Sequence, residues 1–298
     1  MAVYSIKELE QLSNVKAHTI RIWEQRYNMF TPERTDTNIR LYNDEQLKKL
    51  LNVCVLMNNG MKVSAISKLS NKQIGVEIDK YIQSSLQNEH QDETIINQMI
   101  IAISNFDEAQ FEKLFSNAVL RFGLLNTYVK IVYPMLVRMG LLWSKSDVIP
   151  AQEHFLSNLI KQKLFAAIDA LPLPAKPDQT WVLFLTEEEE HELGLLFSNY
   201  LIRQSGKKVI YLGQRVPYDN LASVVQKNKP THLFTFIVKK PSGNFLEEFI
   251  KKITKDFKGL TLCISGSEHK DFSKYKQVEM VKDVHSLLGI VDPKMFNK

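Results

Sequence analysis

A chain of 298 residues has room for two or three ordinary domains, and its 44% hydrophobic and 24% charged residues are those of a folded globular protein rather than a disordered one. No apolar run approaches the ~20 residues that cross a bilayer, and the first residues lack the basic patch, apolar stretch and small-residue cleavage site of a secretion signal, so no membrane partner is expected and the expected location is the cytoplasm. The net charge of +5 is too weak to point to a polyanion by itself, but the first 75 residues hold eleven Lys or Arg against seven Asp or Glu, a net of +4, so most of the excess sits at one end.

That end reads as two short helices and a wing. Ser5 can cap a first helix, with Glu8 three residues on closing a capping box and Ile6, Leu9 and Leu12 supplying the buried stripe. Asn14 breaks the pattern. A second helix is predicted from about Lys16 to Glu24, with Ile20 and Trp23 inward and His18, Thr19 and Arg21 outward, the face that a recognition helix offers to base edges. The segment from Pro32 to Tyr42 is rich in turn formers and carries Arg34 and Arg40, which suits a hairpin wing reaching phosphates. Singly, Arg21, Arg34 and Arg40 could be solvated charges and Tyr42 a core aromatic; their joint placement on helix and wing favours contact with double-stranded DNA. From Asp44 the positions Leu47, Leu50, Leu51, Val55 and Leu56 recur at helical spacing, and Val63, Ile66 and Leu69 follow the break at Asn58-Asn59-Gly60. Cys54 and Cys263 are far apart and in no Cys-x-x-Cys spacing, which argues against a disulfide framework or zinc site and for small apolar core residues.

Residues from about 77 to 171 are helical in pattern. Runs at 95–103, 107–120, 125–143 and 151–171 give four helices joined by short polar breaks, as a four-helix bundle requires, with Gln87 to Glu93 a loop or helix end. Pro172, Pro174 and Pro177 form a stiff hinge. Beyond it, apolar runs at 182–185, 209–212, 233–238 and 260–264 alternate with amphipathic stretches at about 192–204, 218–227, 243–256 and 280–289. Such repeated βα units predict a Rossmann-like, doubly wound parallel sheet. No Gly-x-Gly-x-x-Gly is present, so a nicotinamide or flavin dinucleotide site has no support.

The most informative stretch is Glu189-Glu190-His191-Glu192-Leu193-Gly194, just after the run Val182-Leu183-Phe184-Leu185. It sets an imidazole at the C-terminal end of a strand, the edge where doubly wound domains bind ligands. A neutral imidazole ligates a metal through one ring nitrogen while the other donates to a carboxylate, and Glu189 is the natural carboxylate. On composition alone the same residues make a helix start, with Thr186 and Glu189 forming a capping box. A zinc-protease reading of His191-Glu192 fails, since no second His follows at the fourth position. Upstream, Trp143 is followed after nine residues by Glu153-His154; alone, these would be a core aromatic near a helix end and a polar helix start after Pro150.

The spacing Glu189-x-His191-x-x-Gly194 resembles the cobalamin-binding motif of the methionine-synthase type, and Trp143 with Glu153-His154 resembles the helical cap of cobalamin-binding regulators. Tyr4-Ser5-Ile6-Lys7-Glu8-Leu9, the run from Thr19 through Trp23 to Tyr27, and Arg40-Leu41-Tyr42 resemble the winged helix-turn-helix of the MerR family. The whole chain is therefore similar to MerR-type transcription factors with a cobalamin-binding sensor, among them photoreceptor repressors of carotenoid genes. The resemblance implies a multidomain α and α/β protein: a DNA-binding winged helix-turn-helix over 1–75, a helical-bundle cap over 77–171 and a Rossmann-like cobalamin-binding domain over 178–298.

For the site, the resemblance implies adenosylcobalamin or methylcobalamin, with His191 ligating cobalt and Trp143, Glu153 and His154 covering the upper face of the corrin. Thr235 stands for the hydroxyl residue that accepts the displaced nucleotide base, and Ser265-Gly266 for the paired glycines that let the buried tail pass. The chain departs from the family in three places. Glu189 stands for the usual Asp, Ser265 for a Gly, and Ser144 for the His that captures cobalt after illumination in photoreceptor members. The implied protein is not an enzyme but a homo-oligomeric repressor, dimer or tetramer, whose bound cobalamin, and in the photoreceptor members light, changes its assembly and its affinity for a pseudo-palindromic operator. Two other readings stand beside it. One keeps the sensor fold without the cofactor and is switched by an antirepressor protein, which Ser265 and Ser144 favour. The other is a cobalamin-dependent methyl carrier or mutase component, in which the N-terminal reader would have no use.

Overall fold

The computed structural model describes residues 3–58, 60–84, 91–143, 150–238, 244–266, 272 and 274–292, with the side chains of 79–84, 91, 140–143 and 150 outside that description. The chain divides into two compact units, residues 1–156 and 157–298. Among the described residues no helix is long and apolar enough to cross a membrane.

The first unit begins with β1 (Val3–Ser5) and α1 (Ile6–Ser13). The capping box forms as predicted: Glu8 N donates to Ser5 Oγ at 3.4 Å and Ser5 N donates to the Glu8 carboxylate. Asn14 ends the helix in the left-handed conformation, and α2 (Ala17–Tyr27) follows, running one turn further than predicted to a second left-handed Asn at Asn28. Glu10 accepts from Ala17 N at 3.0 Å, so a side chain of α1 satisfies a backbone donor at the start of α2. The wing is the antiparallel pair β2 (Glu33–Arg34) and β3 (Arg40–Asn43). Strand β1, absent from the sequence reading, pairs with the other edge of β3, with Tyr4 opposite Tyr42. Both rings are fully buried, and Tyr4 donates to Asp44 Oδ1 at 2.8 Å.

Helix α3 (Asp44–Asn58), the short α4 (Val63–Ile66) and α5 (Asn71–Ser84) lead to α6 (Gln91–Ser104), which packs on α3. Next come α7 (Glu108–Thr127), one π-helical turn at Tyr128–Val132, and α8 (Tyr133–Trp143), which packs on α1. The predicted break between 120 and 125 is a kink at Gly123, whose φ of 75° and ψ of 163° only glycine adopts readily. Leu9, Leu12, Ile20, Leu47, Leu50 and Leu51 are all fully buried, which bears out the predicted stripes. Burial pushes the Cys54 thiol on α3 up to about 12, as befits an inert core residue. Helix α9 (Pro150–Asp169) crosses the boundary between the units.

The second unit is the predicted parallel α/β sheet. Strands β4 (Thr180–Phe184), β5 (Lys208–Gly213), β6 (His232–Ile237), β7 (Thr261–Gly266) and β8 (Val278–Val281) lie in the order β5-β4-β6-β7-β8, every pair parallel. The crossovers are α10 (Leu193–Gln204), α11 (Tyr218–Asn228) and α12 (Phe245–Asp256), and α13 (Val284–Val291) closes the fold. Val182 and Phe184 of β4, Leu233 and Ile237 of β6 and Leu262 and Ile264 of β7 form one core with α11 and α12. Alternate residues such as Trp181 and Leu183 are buried on the other face, where α10 packs on β4, β5, β6 and α13. The stretch read as one helix over 280–289 is in fact the end of β8, a turn, and α13 capped by Asp283, whose carboxylate accepts from Ser286 N at 2.7 Å. The chain leaves β4 toward β5 on one side and returns to β6 on the other, so the carboxyl end of β4 borders the switch point where such sheets bind ligands.

Candidate functional site

Residues 185–192 connect β4 to α10 at that switch point. The capping-box reading of Thr186 and Glu189 does not hold: α10 starts at Leu193, and Glu189 belongs to the loop, with its side chain only 3% exposed. Its Oε1 accepts from the backbone N of Glu190 and of His191 at 3.0 Å each, and its Oε2 accepts from Val238 N, just past β6, at 2.7 Å. Donors converging on both oxygens hold the carboxylate as an acceptor, so His191 Nδ1, 2.5 Å from Oε1, is the donor in that contact. With Nδ1 as that donor, Nε2 carries the lone pair whenever the ring is neutral, on a side chain that is 52% exposed. The longer Glu in place of Asp therefore reaches His191 and β6 together.

Two glycines shape the backbone around this loop. A Cβ on Gly194 would lie 2.8 Å from the ring of Phe236, so glycine there lets α10 start close over β6. Gly266, paired with Ile237, has φ 135°, and a Cβ there would fall 1.7 Å from the Ile237 carbonyl oxygen. Thr235, in register with Phe184 and Ile264, is fully buried, and its Oγ1 has no hydrogen-bond partner among the described residues. An orphan hydroxyl in an apolar layer is costly unless a ligand atom partners it. Ser265 beside Gly266 is also buried. An imidazole oriented by a buried carboxylate, a buried hydroxyl without a partner among the described residues and a backbone crossing closed to side chains are groups that would suit a corrinoid.

Glu192, which sequence reasoning left out, is a second anchor of the loop. It accepts from Tyr211 Oη and Gln214 Nε2, each at 2.8 Å, and lies 3.3 Å from Lys161 Nζ. Burial, and then the bond to Glu192, push the Tyr211 hydroxyl far above its ordinary range, so it stays a donor. Glu190 pairs with Arg215. Of the expected cap residues, Glu153 and His154 lie in the first turns of α9, with Glu153 Oε2 3.2 Å from His154 Nδ1 and the imidazole largely exposed. Trp143 ends α8 but its side chain, like Ser144 as a whole, lies outside the described residues.

On the winged helix, His18 and Arg21 are exposed and Thr19 is half-buried along α2, with Ile20 and Trp23 turned into the core. Arg34 is exposed on the wing and donates to Asn38 Oδ1 at 2.6 Å. Arg40 and Tyr42 both meet Glu24 of α2. Arg40 Nε donates to both oxygens of Glu24 at 3.1 Å, and the Tyr42 ring is fully buried, its hydroxyl donating to Glu24 Oε2 at 3.1 Å. Arg40 and Tyr42 share one face of β3 because side chains two apart point the same way, and here that face meets α2.

Comparison with known proteins gives family matches for the winged helix and for the helical segment that follows it. Residues 4–73 match the model of the MerR HTH family regulatory protein, and residues 95–167 match a B12 binding domain. The chain is 27% identical over 267 residues to the HTH-type transcriptional repressor CarH of Myxococcus xanthus, covering 89% of each protein. It is 24% identical over 229 residues to the repressor CarA of the same organism, covering 76% of this chain and 73% of that one. Among solved structures, the monomethylamine corrinoid protein of Methanosarcina barkeri superposes with a TM-score of 0.52 at 13% identity, over 67% of this chain and 97% of that one, a likeness of fold. The helix-turn-helix built around Trp23 and its wing thus carries a MerR HTH match, and the helical segment that follows in sequence carries a B12 binding domain match.

Proposed function

We propose that the chain is a cobalamin-responsive transcriptional repressor of three functional segments: the winged helix-turn-helix over 1–75, the helical cap over 77–171 and the cofactor-binding sheet over 178–298. The observation that carries the sensor half is the Glu189–His191 pair at the switch point of the sheet, in a chain whose N-terminus is a MerR-type reader. Cobalamin, as its adenosyl or methyl form, would supply a cobalt centre open to a nitrogen ligand and a light-labile cobalt–carbon bond. The protein's part is to bind and orient. Glu189 holds the Nδ1 edge of His191, which would leave Nε2 to hold the metal. Thr235 would offer its buried hydroxyl to the cofactor's tail, and Gly194 and Gly266 keep the approach free of side chains. On DNA, His18, Thr19 and Arg21 face the major groove while Arg34 and Arg40 contact phosphates. Self-association joins two readers on one operator, so occupancy that changes the oligomer changes DNA affinity through bivalency.

The test is the ultraviolet-visible spectrum of the purified protein after incubation with adenosyl-, methyl- and hydroxocobalamin and desalting, with duplex binding and oligomeric mass measured on the same samples. Corrin should survive desalting and alter both. A second reading, switching by an antirepressor protein without cobalamin, draws on buried Ser265 where the family has glycine, and it requires that no corrin survives. For the reader, Arg34→Ala should weaken binding to any duplex and lower the slope of log K against log salt by about 0.9, the value of one phosphate contact. Isotherms at several salt concentrations measure this, and an unchanged slope would place Arg34 away from the backbone.

A further inference from the structure

A carboxylate among DNA-facing elements repels phosphate, so elementary electrostatics predicts that deleting it strengthens binding. Glu24 is such a carboxylate, on α2 one turn beyond Arg21, with a side chain only 12% exposed. It is also where the helix and the wing meet. Among the described residues Arg40 reaches both of its oxygens through Nε alone, and Tyr42 donates to the same Oε2 from two positions further along β3. Strand β3 is the middle strand of its sheet, held by β1 on one side and β2 on the other, so both partners of Glu24 stand on the least mobile strand available. A guanidinium has five N–H donors, and a contact through Nε uses one, leaving the two terminal amino groups to bind a phosphate oxygen. A side chain already held at one edge loses less freedom when it makes that contact.

We propose that Glu24 is a positioning residue for DNA binding: it locks the wing onto the recognition helix and presents Arg40 to the phosphate backbone, so removing its negative charge weakens binding. The proposal rests on the DNA-binding reading above. It gives the buried Tyr42 a role as well, since a rigid ring whose hydroxyl holds Oε2 keeps the carboxylate aimed at Arg40.

The experiment is a double-mutant cycle on the full-length chain, with Glu24→Gln, Arg40→Ala and both together. Fluorescence anisotropy on a labelled duplex of fixed arbitrary sequence, across a salt series, supplies affinity and slope. Glu24→Gln should bind about tenfold more weakly, a loss of about 1.4 kcal/mol, with a shallower salt slope close to that of Arg40→Ala. In the Arg40→Ala background it should change nothing further. A merely structural contact would lower thermal stability while leaving the slope intact. Arg40→Lys keeps the charge but lacks Nε, and it should resemble Arg40→Ala; this variant decides the matter if Glu24→Gln does not fold. Equal or tighter binding by Glu24→Gln, an equal loss in the Arg40→Ala background, or full binding by Arg40→Lys would each overturn the proposal. If the wild type binds no duplex at low salt, the DNA-binding reading falls and this proposal with it; if only the variants behave otherwise than stated, the reading stands and the role of Glu24 does not.

Discussion

His191→Ala is expected to remove nearly all retention of cobalamin. Changes to the partner of a metal-bound histidine typically cost 10- to 100-fold in affinity, so loss of the ligand itself should cost at least about a hundredfold. The His191 side chain is half exposed, and its backbone N–H still donates to Glu189 without the ring, so the loop should keep its shape. Glu189→Gln should give an intermediate loss, because an amide still meets Nδ1 but no longer fixes its proton as firmly. Corrin surviving desalting, read by absorption, measures all three proteins. Equal retention by His191→Ala and wild type would take His191 out of the site.

The largest expected effect on stability is at Gly266. An alanine Cβ there would lie 1.7 Å from the Ile237 carbonyl oxygen and 2.6 Å from its carbon, and no flexible side chain is available to give way. The two backbones are a registered pair at the ends of β6 and β7, so relief means separating the strands. With φ at 135°, the residue is also in a region that side chains disfavour. Gly266→Ala should therefore cost about 4 kcal/mol or more, beyond the usual range for a single substitution. Gly206 is the control, since it too has positive φ, at 75°, but nothing among the described residues lies within 4 Å of its Cβ position. Gly206→Ala should cost only about 1 kcal/mol, the backbone part alone. Chemical denaturation followed by a probe in the sheet unit compares the two. Similar midpoints would show that β6 and β7 move apart readily, and the close approach at Gly266 would lose its significance.

The sequence by itself determined what depends on neighbours a few positions apart. The Ser5–Glu8 capping box, the stripe of Leu9 and Leu12, the inward pair Ile20 and Trp23, the break before Leu125 and four of the five parallel strands are all local patterns, and the structure has each of them. The spacing of Glu189 and His191 was legible for the same reason, since the contact spans only two residues. Tertiary structure decided the rest. Strands β1 and β8 are too short to show a period and exist because a neighbouring strand completes their hydrogen bonds. Thr186 and Glu189 fit a capping box on paper, but the chain returns Val238 N to the Glu189 carboxylate from 49 residues away, and that bond holds it in the loop. The anchoring of the Tyr42 hydroxyl and the Arg40 Nε on Glu24, 18 and 16 residues distant, has no local sequence signal either. Gly266 carried no signal of its conformation because the atom that forbids a side chain belongs to another strand. Apolar periodicity states which face of an element is buried, whereas the partner of a buried polar group is set by how distant segments pack, since any donor brought within reach will satisfy it.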